Sequence, residues 1–103
     1  MTRYDKLVRD KIPDNIARSG TKCKYHTIRN NKEFLEKLYE KINEEIGEFK
    51  ENPSVEEFSD IMEVLESIAK YHMFDLEEIK VAKKGKKVVK GGFDKRIFLE
   101  YTE

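Results

Sequence analysis

Apolar residues recur at three- and four-residue steps along two adjacent stretches of the chain, as on one face of an α-helix. In the stretch 31–51 they are Phe34, Leu35, Leu38, Tyr39, Ile42, Ile46 and Phe49. After Asn52-Pro53, which breaks a helix, they are Val55, Phe58, Ile61, Met62, Leu65, Ile68 and Ala69. Ser54 starts the second stretch and Glu57 follows three residues later, which matches a capping box. The pattern predicts an antiparallel hairpin of two long helices.

Shorter elements are predicted before this hairpin. PDNIARS (13–19) is typical of a short helix, because its proline falls in the first turn and Gly20 follows its last residue. TKCKYHTIR (21–29) alternates polar and β-favouring residues, which indicates a short strand or an extended arm.

The chain after the hairpin combines a third helical pattern with a β-like pattern. Asp75 and Glu78 offer a cap for a helix that continues through Lys84. VVKGGFDKRIFLEY (88–101) has β-branched and aromatic residues on both sides of a glycine pair, which favours a small β-hairpin or an extended tail. We therefore expect one all-α domain over 1–103, with a small β-hairpin or extended arms at its ends.

The acidic residues of the two long helices occupy different sides of them. A helix advances by about 100° per residue, which places Glu45 inside the apolar arc of the first long helix and Glu48 just outside it. Glu44 falls on the far side. In the second helix Glu57 lies inside the apolar arc and Asp60 at its edge. Each helix therefore carries an inward-facing acid and a second acid one turn later.

Closing the hairpin would bring these two pairs of acids together. Four carboxylates in a partly dry space repel one another unless a cation neutralises them. Oxygen ligands without histidine or cysteine indicate Mg²⁺, with Mn²⁺ as a substitute, and a phosphate-bearing substrate would suit such an ion. The alternative is a solvated acidic face on which Glu57 only caps a helix. Gly47, between the acids, either clears space for a neighbouring helix or substrate, or is a tolerated surface glycine.

Composition adds an expectation about assembly and excludes several function classes. The 103 residues are 38% hydrophobic and 41% charged, a thin core that favours a homo-oligomer. Zero net charge and the lack of an aromatic RNA-binding motif make nucleic acid an unlikely partner. A single cysteine, Cys23, excludes an intramolecular disulfide. Neither a signal-peptide pattern nor a membrane-length apolar run occurs, so we expect a cytoplasmic protein without membrane contact.

Charge is unevenly distributed along the chain. Residues 31–66 hold twelve acidic and four basic residues, whereas 1–30 hold eight basic and three acidic ones. Residues 80–96 hold eight basic residues against one aspartate. An acidic centre between basic ends suits a cation held beside an anionic ligand, although it equally suits a merely soluble surface.

The acidic motif resembles that of a known enzyme family. EEIGE (44–48) followed by EFSD (57–60) is similar to the EExxE…ExxD signature of the all-α, MazG-like nucleoside triphosphate pyrophosphohydrolases. YDKLVRDKIPDNI (4–16) and KGGFDKRIFLE (90–100) resemble the ends of its small stand-alone members, described as phosphoribosyl-ATP pyrophosphohydrolase-like or house-cleaning enzymes. The resemblance implies a MazG-like helical fold, dimerisation through helices and Mg²⁺-dependent cleavage of a nucleotide between its α and β phosphates. The products would be a monophosphate and pyrophosphate.

The family's site residues map onto this motif. By position, the resemblance implies that Glu45, Glu48, Glu57 and Asp60 hold magnesium, and that Glu44 and Glu45 are catalytic. Basic residues that could bind the substrate phosphates stand in the two flanking motifs: Arg9, Lys11, Lys95 and Arg96. The alternative for each of these four is a solvated surface charge.

A second function, from another class, stays open. Only eight residues separate Glu48 from Glu57, which is short for the family and requires a tight turn. This spacing favours a helical module that binds a nucleotide or a protein without turnover.

Overall fold

Four α-helices and no strand make up the computed structural model, which describes residues 1–103. Helix α1 spans Ile12–Arg18, α2 spans Asn31–Glu51, α3 spans Val55–Tyr71 and α4 spans Leu76–Lys90. The all-α prediction is confirmed, and α2 has the predicted bounds. The β-hairpin or extended arms expected at the ends are not seen.

Side-chain caps set where the three longer helices begin. The Asn30 side chain accepts a hydrogen bond from the Glu33 N–H at 2.9 Å, and Ser54 Oγ accepts one from the Glu57 N–H at 3.1 Å. Each cap satisfies a backbone donor that has no partner within its helix. At α4, Asp75 caps the N–H of Glu77, rather than that of the expected Glu78, at 2.8 Å.

Helix α4 is six residues longer than the sequence predicted. The β-branched pair Val88-Val89 continues the helix instead of starting a strand. The helix ends where Gly91 adopts a φ of 83°, a left-handed conformation that favours glycine. Once a helix is under way, each added residue gains a hydrogen bond, and this outweighs the weak preference of valine for strands.

Helices α2 and α3 form the predicted antiparallel hairpin. Aromatic pairs join both ends of it: Phe49 and Phe58 lie beside the turn with ring centroids 5.6 Å apart, and Phe34 and Tyr71 lie at the open end at 6.1 Å. Only three apolar residues between these pairs are buried: Leu38, Val64 and Ala69. Tyr39 and Phe58, which the pattern placed in the core, are about half exposed.

Helix α4 extends away from this hairpin. None of its residues is buried, and α2 and α3 are the only helices that pack extensively on each other. The radius of gyration is 18.2 Å, whereas a compact domain of this length has about 13 Å. None of the four helices has both the length and the hydrophobicity needed to cross a membrane.

Candidate metal centre

Three carboxylates meet where α2 and α3 face each other near the turn. One oxygen each from Glu45, Glu57 and Asp60 lies within 4.8 Å of the others. Glu45 comes from the last two turns of α2, and the other two come from the first two turns of α3. The antiparallel arrangement therefore brings together acids that are separated along the chain by the Asn52-Pro53 turn.

Two of these three carboxylates have an oxygen that is buried without a partner. Glu45 is only 7% exposed, and Glu57 is half-buried. Glu45 Oε2 and Glu57 Oε2 are inaccessible to solvent and accept no hydrogen bond. Each such orphaned polar group costs about 1–3 kcal/mol, more when it is charged. A cation bound between the helices by these carboxylates would offset this cost, because it would neutralise both of them.

Basic side chains cover the outer side of the acidic group. Lys41 Nζ lies 3.3 Å from Glu45 Oε1 and 3.0 Å from Glu44 Oε2. Lys6 Nζ donates to Glu44 Oε1 at 2.7 Å. These contacts bind Glu44 on two sides and leave one Glu45 oxygen free of any basic group.

Arg9 contacts the acidic group at Asp60. Its Nη2 donates to Asp60 Oδ1 at 2.7 Å, and both side chains remain partly exposed. An exposed ion pair of this kind contributes less than about 1 kcal/mol. Arg9 can therefore leave Asp60 at low cost when another cation binds there.

The pKa values of the two neighbouring glutamates on α2, Glu44 and Glu45, are shifted in opposite directions. Burial raises the pKa of Glu45, and the nearby charges of Glu48 and Asp60 raise it further, against the opposing effect of Lys41. Partial burial alone would also raise the pKa of Glu44, but hydrogen bonds from Lys6 and Lys41 lower it overall. Glu44 is therefore held as an ion, whereas Glu45 lacks a sufficient counter-charge.

The structure brings some of the other predicted residues to this centre and leaves others outside. Glu48 is exposed and its carboxylate is not within the three-oxygen group, although its charge acts on Glu45. Lys11, at the start of α1, and Lys95 and Arg96, beyond α4, are exposed and form no ion pair with any acid of the cluster. Of the four basic candidates, only Arg9 contacts the centre.

Two basic residues at the centre were not predicted. Lys41 stands three and four residues before Glu44 and Glu45, so helical spacing could have identified it. Lys6 is 38 residues from its partner, and no sequence spacing indicates that contact.

Gly47 lies in open space. A Cβ atom at this position would meet no heavy atom within 4 Å. Packing of the neighbouring helix therefore does not require a glycine at this position. That Gly47 clears space for a substrate stays a prediction.

Neither a protein-family model nor a curated protein nor a solved structure matches this chain.

Proposed function

We propose that the protein is a Mg²⁺-dependent nucleotide pyrophosphohydrolase of the MazG-like type. It would cleave the α–β phosphate bond of a nucleoside triphosphate, or of a phosphoribosyl-ATP-like nucleotide, to a monophosphate and pyrophosphate. The main support is the pair of orphaned oxygens, Glu45 Oε2 and Glu57 Oε2, buried beside Asp60. Burial without hydrogen bonds is costly unless these groups serve a ligand.

The donor set fits a hard divalent cation. Three carboxylates supply only oxygen, the ligand type that Mg²⁺ and Mn²⁺ prefer. Glu45, Glu57 and Asp60 would hold the ion, and Glu48 would join them from the exposed side of α2. When bound, the ion would neutralise charge on the phosphate oxygens and acidify a water molecule for attack on phosphorus.

The remaining residues have roles that follow from their charge and position. Glu44 is kept ionised by Lys6 and Lys41, so at neutral pH it can accept a proton from the attacking water or orient that water. Arg9 would turn from Asp60 to the phosphates once a cation takes its place. Lys6 and Lys41 would add positive charge on the side of Glu44.

The test is pyrophosphate release from a panel of nucleotides with Mg²⁺ and with a chelator. Glu45→Gln and Asp60→Asn should each lower the rate at least about tenfold, because even groups that only support a metal ligand are worth 10- to 100-fold. Glu36→Gln is the matched control, since Glu36 is an exposed acid of the same helix without an ion pair. Full activity in chelator, or in both site variants, would refute the proposal.

The second candidate is a module that binds a nucleotide without hydrolysing it. It is favoured by the position of Lys11, Lys95 and Arg96, none of which contacts the acidic centre. Calorimetry with Mg²⁺ and nucleotide separates the two functions. Binding without product after prolonged incubation would support the module, and product formation would exclude it.

A further inference from the structure

The segment that precedes α1 crosses the acidic centre and contacts both long helices. Lys6 Nζ donates to Glu44 Oε1 of α2 at 2.7 Å, and Arg9 Nη2 donates to Asp60 Oδ1 of α3 at 2.7 Å. We call residues 6–9 the N-terminal strap. It is attached to α2 at one end and to α3 at the other, so it spans the two helices that supply the carboxylates.

Side-chain contacts hold the N-terminal strap in place. None of residues 1–8 forms a backbone–backbone hydrogen bond, and the strap's one such bond runs from the Ile12 N–H to the Arg9 carbonyl at 3.1 Å. Leu7 and Val8, between the two cations, are half-buried. Each exposed ion pair contributes less than about 1 kcal/mol. The strap can therefore detach locally while the long helices remain folded.

The N-terminal strap also balances charge at the metal-free centre. Its two cations, Lys6 and Arg9, together carry the charge of one divalent ion. The hydrogen bond to Glu44 is the main reason why the pKa of Lys6 is raised above its ordinary value, and the charges of Glu48 and Glu45 raise it further. Lys6 is therefore attracted by several acids of the centre and not by Glu44 alone.

We propose that the N-terminal strap closes over the centre when no metal is bound and opens at its Arg9 end when a divalent cation binds. Arg9 and the cation require the same carboxylate, that of Asp60, and positive charges that share it repel each other. Lys6 keeps its contact, because Glu44 lies outside the three-oxygen group. A phosphate anion beside the cation gives Arg9 a new acceptor and closes the strap again. The cation and the phosphate rest on the proposed function, whereas closure of the metal-free protein does not.

Limited proteolysis of the full chain with trypsin measures the opening. Trypsin takes the cation before the cleaved bond into an acidic pocket of its own, so it cuts after Arg9 only when this side chain has left Asp60. In chelator this cut should be slow. Excess Mg²⁺ should raise its initial rate about fivefold, the upper value of an exposed ion pair, because the rate follows the population of the open form. Inorganic pyrophosphate, added with Mg²⁺ still in excess, should return the rate to its value in chelator.

Two other bonds of the chain are internal references. Cleavage after Lys24, which is exposed between α1 and α2, should be equal in all three conditions. Cleavage after Lys6 should rise less than cleavage after Arg9, since Lys6 keeps its contact with Glu44. Mass spectrometry of the fragments assigns each cut to its bond.

Lys6→Met tests whether the two contacts belong to one strap. Lys6 does not pair with Asp60, so two independent ion pairs would leave cleavage after Arg9 unchanged in this variant. A strap held at both ends loses one of its attachments, and in chelator the cut after Arg9 should become about two- to fivefold faster. Lys6→Arg should keep the slow rate. Lys37→Met removes the 3.0 Å pair with Glu40 on α2; it is the matched control and should behave as the wild type.

Calorimetry with Mg²⁺ separates a failure of this inference from a failure of the proposed function. Binding of Mg²⁺ without faster cleavage after Arg9, or an unchanged rate in Lys6→Met, would overturn the strap and leave the function standing. Faster cleavage on addition of pyrophosphate would overturn closure by phosphate. No binding of Mg²⁺ would overturn both the opening and the proposed function. Opening by Mg²⁺ without pyrophosphate release from any nucleotide would support the strap and refute hydrolysis alone.

Discussion

Replacing Glu45 with glutamine should stabilise the metal-free protein and abolish its response to Mg²⁺. The substitution keeps the shape of the side chain but removes a buried charge that lacks one hydrogen-bond partner. The glutamine amide N–H can donate to the facing Glu57 or Asp60 carboxylate, each of which has an oxygen within 4.8 Å of one of Glu45. This relieves the orphaned position, which costs about 1–3 kcal/mol. Losing the 3.3 Å contact with Lys41 offsets part of this gain. The loss is small, because Lys41 keeps its 3.0 Å contact with Glu44.

The net effect is a gain of about 1 kcal/mol in the free energy of unfolding without metal. For a domain of this length it corresponds to a rise of about 4–8 °C in Tm. A ligand at 100 times its Kd stabilises the state that binds it by about 2.7 kcal/mol. The wild type should therefore be the less stable protein in chelator and the more stable one in excess Mg²⁺.

Thermal unfolding by circular dichroism, at one protein concentration, measures this reversal. Glu36→Gln should behave as the wild type in both conditions. A lower Tm of Glu45→Gln than of wild type in chelator, or an equal rise in the Tm of both proteins with Mg²⁺, would refute the assignment of Glu45 as a metal ligand.

The difference in Tm between Glu45→Gln and wild type in chelator should depend on pH in a direction that the pKa of Glu45 determines. Burial raises the pKa of Glu45 above its ordinary value of 4.5, so the folded state binds this proton more tightly than the unfolded state. The destabilisation by Glu45 is complete above the folded pKa and disappears as pH falls through that value to 4.5. In chelator, the Tm advantage of Glu45→Gln should accordingly shrink over this window. An advantage that grows on acidification would contradict the assigned direction.

Three further substitutions test other contacts. Arg9→Met frees Asp60 from a 2.7 Å ion pair, so Mg²⁺ should bind up to about fivefold tighter by calorimetry, the value of an exposed pair; weaker binding would contradict competition at Asp60. Ser54→Ala removes the cap of α3 and should lower the free energy of unfolding by about 1 kcal/mol, whereas Ser67→Ala, within the same helix, should be nearly neutral. Gly47→Ala, in open space, should raise that free energy by about 0.5–1 kcal/mol, and a less stable variant would show that another molecule covers this position.

The parts of the fold that depend on local geometry could be predicted from the sequence. The bounds of α2 follow from the Asn30 cap and from Asn52-Pro53, and the 100° helical step alone placed Glu45 on the buried side. The end of α4 could not be placed, because valine favours strands in isolation and only the left-handed Gly91 shows where the helix stops. The strand preference of a single residue contributes less free energy than the extension of a helix already formed.

The basic residues that contact the acidic centre could be predicted only in part. Arg9 was proposed from its motif as a phosphate ligand, but its ion pair with Asp60 spans 51 residues. The contact of Lys6 with Glu44 spans 38 residues. Contacts of this range depend on the path of the chain between elements, which periodicity does not describe.

These two long-range ion pairs have a consequence for the order in which the protein folds. The α2–α3 hairpin joins helices that are neighbours along the chain, and such local contacts form rapidly. Lys6 and Arg9 must instead close loops of 38 and 51 residues, which costs more chain entropy for weak, exposed contacts. The acidic hairpin should therefore assemble first and the N-terminal segment should join it last. During synthesis the order of emergence is reversed, since the segment that completes the centre leaves the ribosome before any of the carboxylates it covers.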